Sequence, residues 1–300
     1  MKLRLIMTAV VWLVTAADAR AQTRANLLVD AAWLQKHIGD ANLVLLHLGN
    51  RAGYDRQHIP GARFIAMGDL AAPEDAGSMD HGQRPHLELP PPAAARAKLE
   101  SLGISDDSRI VVYYSTDWVS PTTRIAFTLD WIGLGARTSV LDGGMQEWQR
   151  RGGAVTAEPT AIKPGKLSAK PVKSPVVDYN FVRANLETPD IAIIDARDRR
   201  FYEGNDDSAR PGRIPGAGSL PFTTLTDDAL LFKAPQELEK LFQQAGYKPG
   251  DTIVAYCHIG QQATVVVLAA RMLGYKVLLY DGSYTQWEAL PELPVEKTAP

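Results

Sequence analysis

Residues 252–273 read TIVAYCHIGQQATVVVLAARML and combine an apolar run, a short polar loop and a second, longer apolar stretch. Thr252–Tyr256 is typical of a buried strand, because it is a short apolar run bounded by turn-forming residues. Ala263–Leu273 predicts a helix, and Gly274 follows at a place where helices commonly end. A strand, a loop and a helix in this order indicate an α/β fold, in which ligands bind beyond the carboxyl ends of parallel strands.

The chain contains this kind of unit twice. The tetrapeptide IPGA occurs at 59–62 and again at 214–217. The pairs Asp142-Gly143 and Asp281-Gly282 are each followed by a tryptophan, with a constant offset of 139 residues between the copies. Repeated markers in the same order indicate a duplicated structural unit. We therefore predict two homologous α/β domains, 25–152 and 176–293, each a mainly parallel sheet flanked by helices.

Further elements follow from the same patterns. Strands are predicted at Val44–Leu48, Ile110–Tyr114, Ile191–Asp195 and Lys276–Tyr280. Helices are predicted at Ala93–Leu102, Arg124–Ile132 and Pro235–Ala245, ending at Gly103, Gly133 and Gly246. Residues 153–175 form a linker rich in proline and lysine, and we expect it to be extended because proline fixes φ and lacks an amide donor.

Residues 1–21 have the layout of a secretory signal peptide. A positive start with Lys2 and Arg4 precedes the uncharged run Leu5–Ala17, and small residues flank a cleavage point after Ala21. We expect an exported mature protein, periplasmic if the source is a bacterium, that has no membrane contact once the signal is removed. A retained N-terminal membrane anchor is the alternative.

Composition excludes several classes of protein and site. With 32 basic and 34 acidic side chains, a net charge of −2 and no basic block, the chain gives no support to nucleic-acid binding. The single cysteine excludes an internal disulfide and any multi-cysteine metal centre. We expect neither a cofactor nor a metal, and the oligomeric state is not determined by any of these patterns.

Cys257 follows directly on a predicted strand and precedes a predicted helix. Backbone amides and the helix dipole in such a loop favour negative charge, and a thiolate is the nucleophilic form of cysteine. Gly260 supplies the conformational freedom that a tight loop needs. We expect Cys257 to be a reactive thiolate, and the alternative is a buried, inert cysteine.

These motifs make the chain resemble the tandem rhodanese-domain sulfurtransferases, the family of thiosulfate and 3-mercaptopyruvate sulfurtransferases. The resemblance rests on Asp195-Ala196-Arg197, on Gly212–Ala217, on the six-residue loop Cys257–Gln262 and on Asp281-Gly282 with Trp287. It covers nearly the whole mature chain. It implies two rhodanese-like domains, of which the second is catalytic.

The resemblance also implies a mechanism and a set of site residues. Cys257 takes a sulfane sulfur from a small anionic donor as a persulfide and passes it to cyanide or a thiol, in two half-reactions with ping-pong kinetics. Arg197 is expected to pair with the donor anion, or alternatively to bridge to Asp195 or Glu203. The expected substrate-binding residues are Arg197, His258, Ile259, Gly260, Gln261 and Gln262, supported by Asp195 and Ala263.

The first domain departs from this pattern and is expected to be non-catalytic. The segment matching Asp195–Arg197 is His47–Gly49, which has neither acid nor arginine, and the cysteine position falls on Tyr114 or Ser115. The following loop is expected to be three or four residues longer and to contain Pro121. We expect this domain to cover one wall of the cleft. Trp118 and the segment Asp80–Leu89 are candidates for that wall.

The loop residues leave the donor open. Thiosulfate enzymes of this family typically carry basic residues at the second and third loop positions and mercaptopyruvate enzymes small ones, whereas this chain has His258 and Ile259. A protonated His258 would favour an anion at low pH. We favour thiosulfate as the donor, with 3-mercaptopyruvate or a persulfide as alternatives.

Three alternatives, a phosphatase, a sulfur sensor or carrier and a metal site, match parts of the sequence less well. The fold resembles that of cell-cycle dual-specificity phosphatases, but their longer loop ends in an arginine where this chain has Ala263. A non-catalytic sulfane-sulfur or redox sensor or carrier would need the same exposed cysteine. A metal site at Asp80, His81, His86 and Glu88 is less favoured than a surface loop, since Arg84 between the histidines would repel a cation.

Overall fold

A computed structural model of the chain describes residues 23–72, 88–115, 119–170, 172 and 175–298. The expected signal peptide at 1–21 lies outside the described residues, and so do Trp118 and positions 80–87 of the expected cleft wall. In the described part of the chain, no helix is both long enough and apolar enough to cross a membrane.

Two five-stranded sheets organise the described part of the chain, and every pairing between their strands is parallel. The first sheet has the order β1-β5-β4-β2-β3, with β1 Leu28–Val29, β2 Leu43–Leu48, β3 Arg63–Ile65, β4 Arg109–Tyr114 and β5 Thr138–Leu141. The second has the matching order β6-β10-β9-β7-β8, with β6 Val176–Val177, β7 Ile191–Asp195, β8 Gly218–Ser219, β9 Thr252–Tyr256 and β10 Lys276–Tyr280. The predicted α/β fold with two similar parallel sheets is confirmed.

Helices flank both sheets. Those of the first half are Ala31–His37, Arg51–Arg56, Pro92–Ser101, Val119–Trp131 and Gly144–Arg150. Those of the second half are Tyr179–Ala184, Arg199–Glu203, Pro235–Gln244, Ala263–Met272 and Ser283–Glu288. Gly103, Gly133, Gly246 and Gly274 all have positive φ just after a helix, as predicted, because a left-handed residue without a side chain ends a helix at little cost.

The helix Val119–Trp131 begins five residues earlier than predicted. Pro121 lies within its first turn, where the missing amide would have no helical partner in any case. Pro121 therefore lies in this helix and not, as expected, in the loop that follows β4. This extra turn brings Ser120 and Thr123 to the second half of the chain, where Thr123 Oγ1 is 2.7 Å from Thr264 Oγ1.

The two halves share one apolar cluster. Val119 and Phe127 of the first half pack with Val265 and Val266 of the second. The helix Ala263–Met272 is apolar on nearly all sides because one side covers β9 and β10 and the other meets Val119–Trp131. The carboxyl end of β9 is thereby held close to the first half of the chain.

The linker runs along the first half. None of its described residues is helical, as its prolines predict. The amides of Gly165 and Leu167 donate to the carbonyl and the carboxylate of Glu100, at 2.8 Å each. Leu167 is buried in the first-half core. The linker is thus anchored to the first half before the chain enters β6.

Candidate functional site

The candidate site is the loop at the carboxyl end of β9, a strand inside the second sheet between β10 and β7. Cys257 is the first residue after this strand and is fully buried. Its amide donates to Ser283 Oγ at 3.1 Å, and its carbonyl accepts from the Tyr284 amide at 2.9 Å. Hydrogen bonds to the segment that follows β10 therefore fix the backbone of Cys257.

Backbone amides surround the sulfur of Cys257. Those of Ile259, Gly260, Gln262 and Ala263 all hydrogen bond to it. The loop can curl around one atom in this way because Gly260 has φ +77°, a conformation that other residues adopt only under strain. The predicted cradle of amides is thus present, and it suits a sulfur that carries negative charge.

The resting thiol does not carry that charge as readily as predicted. Burial raises the pKa of Cys257 above its ordinary value, and the four amide hydrogen bonds oppose this increase without cancelling it. The sequence-based expectation of a preformed thiolate is corrected here. The reason is that a fully buried anion loses its hydration, and no cationic side chain of the loop compensates for it.

His258 does not supply such a cation. Burial and the nearby charge of Arg197 lower the pKa of His258 to about 4, so its ring is neutral at physiological pH. The ring contacts Phe201 edge-on, with 4.5 Å between centroids. The expected help from a protonated His258 in binding an anion is therefore confined to a pH of about 4 and below.

The other loop side chains lie half-buried around the site. Gln261 Nε2 donates to Ser120 Oγ in the first half at 3.0 Å. Gln262 Oε1 is buried and accepts no hydrogen bond from the described residues. Ile259 contributes an apolar side chain and its amide. Only the backbone of this loop gathers donors at a single point.

Arg197 is buried beside Asp195, the last residue of β7. Its Nε lies 3.0 Å and 3.1 Å from the two carboxylate oxygens, and its Nη2 donates to Asp195 Oδ2 at 2.7 Å and to the Gly212 carbonyl at 2.6 Å. The guanidinium also lies 3.9 Å from the centre of the Tyr284 ring. Burial opposes its charge, but the paired carboxylate keeps the pKa of Arg197 above its ordinary value. The alternative expectation, a bridge to Asp195, describes this geometry.

The first half has an arrangement that matches the second but with different residues. In the second half, Tyr256 OH donates to Asp195 Oδ2 at 2.6 Å and accepts from the Ile214 amide at 3.2 Å. Tyr113 OH lies 3.0 Å from His47 Nδ1 and accepts from the Ile59 amide at 3.0 Å. His47 thus takes the place of the aspartate, and Gly49 that of Arg197.

The same comparison identifies the counterpart of the cysteine. Tyr256 pairs with Asp195 as Tyr113 pairs with His47, so the residue that corresponds to Cys257 is Tyr114 and not Ser115. Tyr114 is a buried core residue. A tyrosine here cannot act as a sulfur nucleophile, which agrees with the expected division of labour between the halves.

Ser283 is a site residue that the sequence reasoning missed. It is one of two residues other than glycine with positive φ in the described chain, at +53°, and the matching Gly144 has φ +54°. A Cβ on Gly144 would come within 2.7 Å of the Tyr114 ring, whereas Ser283 faces the smaller Cys257. The signal was present in the repeat, where Asp-Gly-Gly at 142–144 becomes Asp-Gly-Ser at 281–283.

Asp281 connects the loop to the first half of the chain. Its carboxylate is bound by Arg124 of the helix Val119–Trp131 and accepts from the Leu89 amide at 3.2 Å. Leu89 is the described end of the expected cleft wall, so this part of the segment does contact the second half. Asp281 and Arg124 Nη1 also lie next to Gly260 of the cysteine loop.

No group of three or more histidine, cysteine, aspartate or glutamate side chains that could hold a metal ion occurs within the residues described. Asp80, His81 and His86 of the alternative metal site lie outside those residues. The chemical groups that the structure brings together at the site are one sulfur atom, the amides around it and the buried Asp195–Arg197 pair.

Comparison with known proteins gives a consistent family. The model of the rhodanese-like domain matches residues 30–151 and again residues 179–290. The chain is 32% identical over 247 residues to a probable 3-mercaptopyruvate sulfurtransferase of Pseudomonas aeruginosa, covering 81% of this chain and 85% of that protein. It is 30% identical over 275 residues to a thiosulfate sulfurtransferase of Azotobacter vinelandii, covering 90% and 97%.

Solved structures share the fold. The anaerobic ergothioneine biosynthesis enzyme from Chlorobium limicola superposes with a TM-score of 0.79 at 23% identity, covering 92% of this chain and 71% of that one. At that identity the likeness concerns the fold alone. The two domain matches and the two curated relatives lead to one assignment: this chain belongs to the tandem rhodanese-domain sulfurtransferase family.

Proposed function

We propose that the chain transfers a sulfane sulfur from a small anionic donor to a thiophilic acceptor through a persulfide on Cys257. The observation that carries the proposal is the ring of four backbone amides directed at the only sulfhydryl of the chain. Backbone amides that donate hydrogen bonds in this way stabilise a developing sulfur anion without a side-chain cation. The relatives named for thiosulfate and for 3-mercaptopyruvate supply the two donors to consider.

In the first half-reaction, Cys257 loses its proton to solvent and its thiolate attacks the outer sulfur of the donor. A new S–S bond forms to Cys257. With thiosulfate, the S–S bond of the donor breaks and sulfite leaves with the electron pair. With 3-mercaptopyruvate, the C–S bond breaks, and the enolate of pyruvate leaves and takes a proton from water. The amides of Ile259 and Gly260 would then hold the charge of the persulfide.

In the second half-reaction, the acceptor attacks the outer sulfur of the persulfide. Cyanide leaves as thiocyanate and a thiolate leaves as a new persulfide, while the electron pair of the broken S–S bond returns to Cys257. The protein undergoes no net oxidation, so no further redox partner or cofactor is needed. Two half-reactions that share one covalent intermediate predict ping-pong kinetics.

Arg197 would support the site mainly by ordering it. Its Nε and Nη2 already bind Asp195 and Gly212, so these atoms are engaged before a donor arrives. We propose that its charge acts on the donor anion at close range while Asp195 holds it in place. Gly260, Gln261, Gln262 and Ala263 contribute through the backbone of the loop, and His258 and Ile259 shape its rim.

The remaining assignments are also proposals. The segment 1–21 is a signal peptide, and the mature protein is exported. Domain 25–152 is non-catalytic and covers domain 176–293, with 153–175 as the linker between them. The presence of Tyr114 and Gly49, where the second domain has Cys257 and Arg197, supports this division.

A steady-state assay with cyanide tests the proposal and identifies the donor. Residues 22–300 are assayed with thiosulfate and with 3-mercaptopyruvate, alongside the Cys257→Ser variant. We expect turnover with at least one donor, parallel double-reciprocal plots and none of this activity in the variant. We test thiosulfate first as the favoured donor, with 3-mercaptopyruvate as the alternative. Turnover that survives Cys257→Ser would refute the proposal.

A second candidate function is a sulfur carrier or sensor. The neutral His258 and the apolar Ile259 favour it, because the loop then carries no cationic pair to bind an anionic donor, whereas the burial and raised pKa of Cys257 count against the exposed, easily oxidised cysteine that a sensor needs. Such a protein would accept one sulfur atom from polysulfide but would not turn over with either donor. The same assay, followed by a single-turnover measurement, distinguishes the two functions.

A further inference from the structure

Arg124 belongs to the first half of the chain, yet its guanidinium reaches the cysteine loop. Its Nη1 binds Asp281 Oδ1 and lies 3.4 Å from the carbonyl oxygen of Gly260, and its Nη2 is 3.3 Å from Asp281 Oδ2. The side chains of Arg124 and Asp281 are only 1% and 11% exposed. This is a buried ion pair between the two halves that also touches the loop backbone.

A buried ion pair of this kind is poorly explained as a source of stability. Desolvation offsets much of the attraction between such charges, and apolar replacements of similar volume are often as stable. What the pair does provide is a defined geometry at one point of the loop. That point is the carbonyl of Gly260.

Arg124 and the sulfur hold Gly260 from opposite sides. The Gly260 amide hydrogen bonds to Cys257, while its carbonyl is directed at Arg124. Asp281 packs closely against the same residue, because a Cβ on Gly260 would lie 2.5 Å from Asp281 Oδ1. Fixing this carbonyl fixes the backbone of a left-handed residue, and with it the direction of the amides on either side.

We propose that Arg124 is a positioning residue that orients the amides of the cysteine loop through Asp281 and the Gly260 carbonyl. The first half, without a nucleophile of its own, thereby completes the site of the second half. The proposal deepens the function proposed above and rests on it where it concerns sulfur transfer. It can be tested separately, because the reactivity of Cys257 is measurable without any donor.

The chain offers a matched control. Arg271 of the helix Ala263–Met272 and Asp130 of the helix Val119–Trp131 form a second ion pair between the two halves, with Nη1 2.8 Å from Oδ2 and side chains 23% and 13% exposed. Arg271 lies near the far end of the helix Ala263–Met272, away from the loop. Loss of Arg271 weakens the interface between the halves but leaves the Gly260 carbonyl in place.

The experiment compares Arg124→Met, Arg124→Lys and Arg271→Met with the unaltered chain. Folding is followed by circular dichroism and thermal unfolding. The single cysteine makes alkylation by iodoacetamide a clean probe of Cys257, and single-turnover sulfur loading is measured over a range of thiosulfate and 3-mercaptopyruvate concentrations. Arg124→Lys keeps the charge and one contact, and it serves if Arg124→Met does not fold.

We expect Arg124→Met to reduce the maximal rate of sulfur loading about 10- to 100-fold, the effect of a displacement on the order of 1 Å. The half-saturating donor concentration should change little, since Arg124 does not touch the donor. Alkylation should slow in the same variant, Arg124→Lys should recover part of both rates, and Arg271→Met should keep both.

Two results would overturn the inference. One is a folded Arg124→Met variant that loads sulfur and is alkylated at the unaltered rates. The other is an equal loss of both rates in Arg271→Met, which would make the effect a general one of the interface. If the unaltered chain loads no sulfur from either donor, the proposed function fails, and the alkylation rates still decide whether Arg124 positions the loop.

Discussion

The left-handed Ser283 makes a quantitative prediction about the cysteine site. Its Oγ accepts from the Cys257 amide at 3.1 Å and donates to the Tyr280 carbonyl at 2.8 Å, and the residue is fully buried. Replacement by alanine leaves the Cys257 amide buried without its acceptor. An unsatisfied buried donor costs about 1–3 kcal/mol, so Ser283→Ala should lower the free energy of unfolding by about that amount.

A second variant, Ser283→Gly, distinguishes the contribution of the lost hydrogen bond to stability from that of the backbone strain. A residue with a Cβ at φ +53° is strained by about 1–2 kcal/mol, and glycine removes this strain but gains entropy in the unfolded chain. We therefore expect Ser283→Gly to be more stable than Ser283→Ala by about 0.5–1 kcal/mol. Glycine is also the residue at the matching position 144.

Urea unfolding followed by tryptophan fluorescence measures both stabilities, and alkylation of Cys257 measures the effect on the site. Ser139→Ala is a matched control, because Ser139 Oγ donates to the Asn26 carbonyl at 2.6 Å and lies in the first half. The control should lose stability without a change in alkylation, whereas both Ser283 variants should change it. An alanine variant as stable as the unaltered chain, or more stable than the glycine variant, would refute the reasoning.

Three further predictions follow from the structure. Gly260→Ala should abolish most sulfur transfer, because the new Cβ would lie 2.5 Å from Asp281 Oδ1. Gly61→Ala is the control, since Gly61 has a similar φ of +78° but nothing within 4 Å of the new Cβ. Activity and unfolding measurements on both variants separate the clash from the backbone strain. His258→Gln should leave the pH profile of sulfur loading unchanged between about pH 6 and 8, since the pKa of His258 is lowered to about 4. An inflection near neutral pH that this variant removes would show that His258 is not neutral there and would contradict the prediction. Burial raises the pKa of Asp142 to about 6, so the folded state binds its proton before the unfolded state does and stability rises as the pH falls through that value. Asp142→Asn should raise the melting temperature most above pH 6 and lose this advantage by about pH 4, and a pH-independent difference would contradict it.

Much of the fold could be predicted because the strands are short apolar runs that are easy to recognise in the sequence. Ile191–Asp195, Thr252–Tyr256 and Lys276–Tyr280 have the bounds that their apolar runs predicted. Strands buried on both faces are continuous apolar runs, so little else can account for them. The sequence does not indicate the start of the helix Val119–Trp131, because Pro121 is typical of a loop, although proline is tolerated in a first turn.

The backbone arrangement of the cysteine loop could be predicted from the sequence, but the protonation states of its side chains could not. The position of Cys257 between strand and helix indicated the amide cradle, which depends only on chain direction. The protonation of Cys257 and His258 depends on how deeply each is buried, and burial is set by the packing of both halves. Arg124 could not be recognised from the sequence, because its partner Asp281 is 157 residues away.

The central claim is that Cys257 carries the transferred sulfur, and mass spectrometry tests it most directly. Protein treated with thiosulfate or 3-mercaptopyruvate is digested, and the peptide that contains Cys257 is analysed before and after addition of cyanide. We predict that this peptide gains one sulfur atom from at least one donor and loses it to cyanide as thiocyanate forms. A protein that produces thiocyanate while Cys257 remains unmodified at every stage would contradict the account.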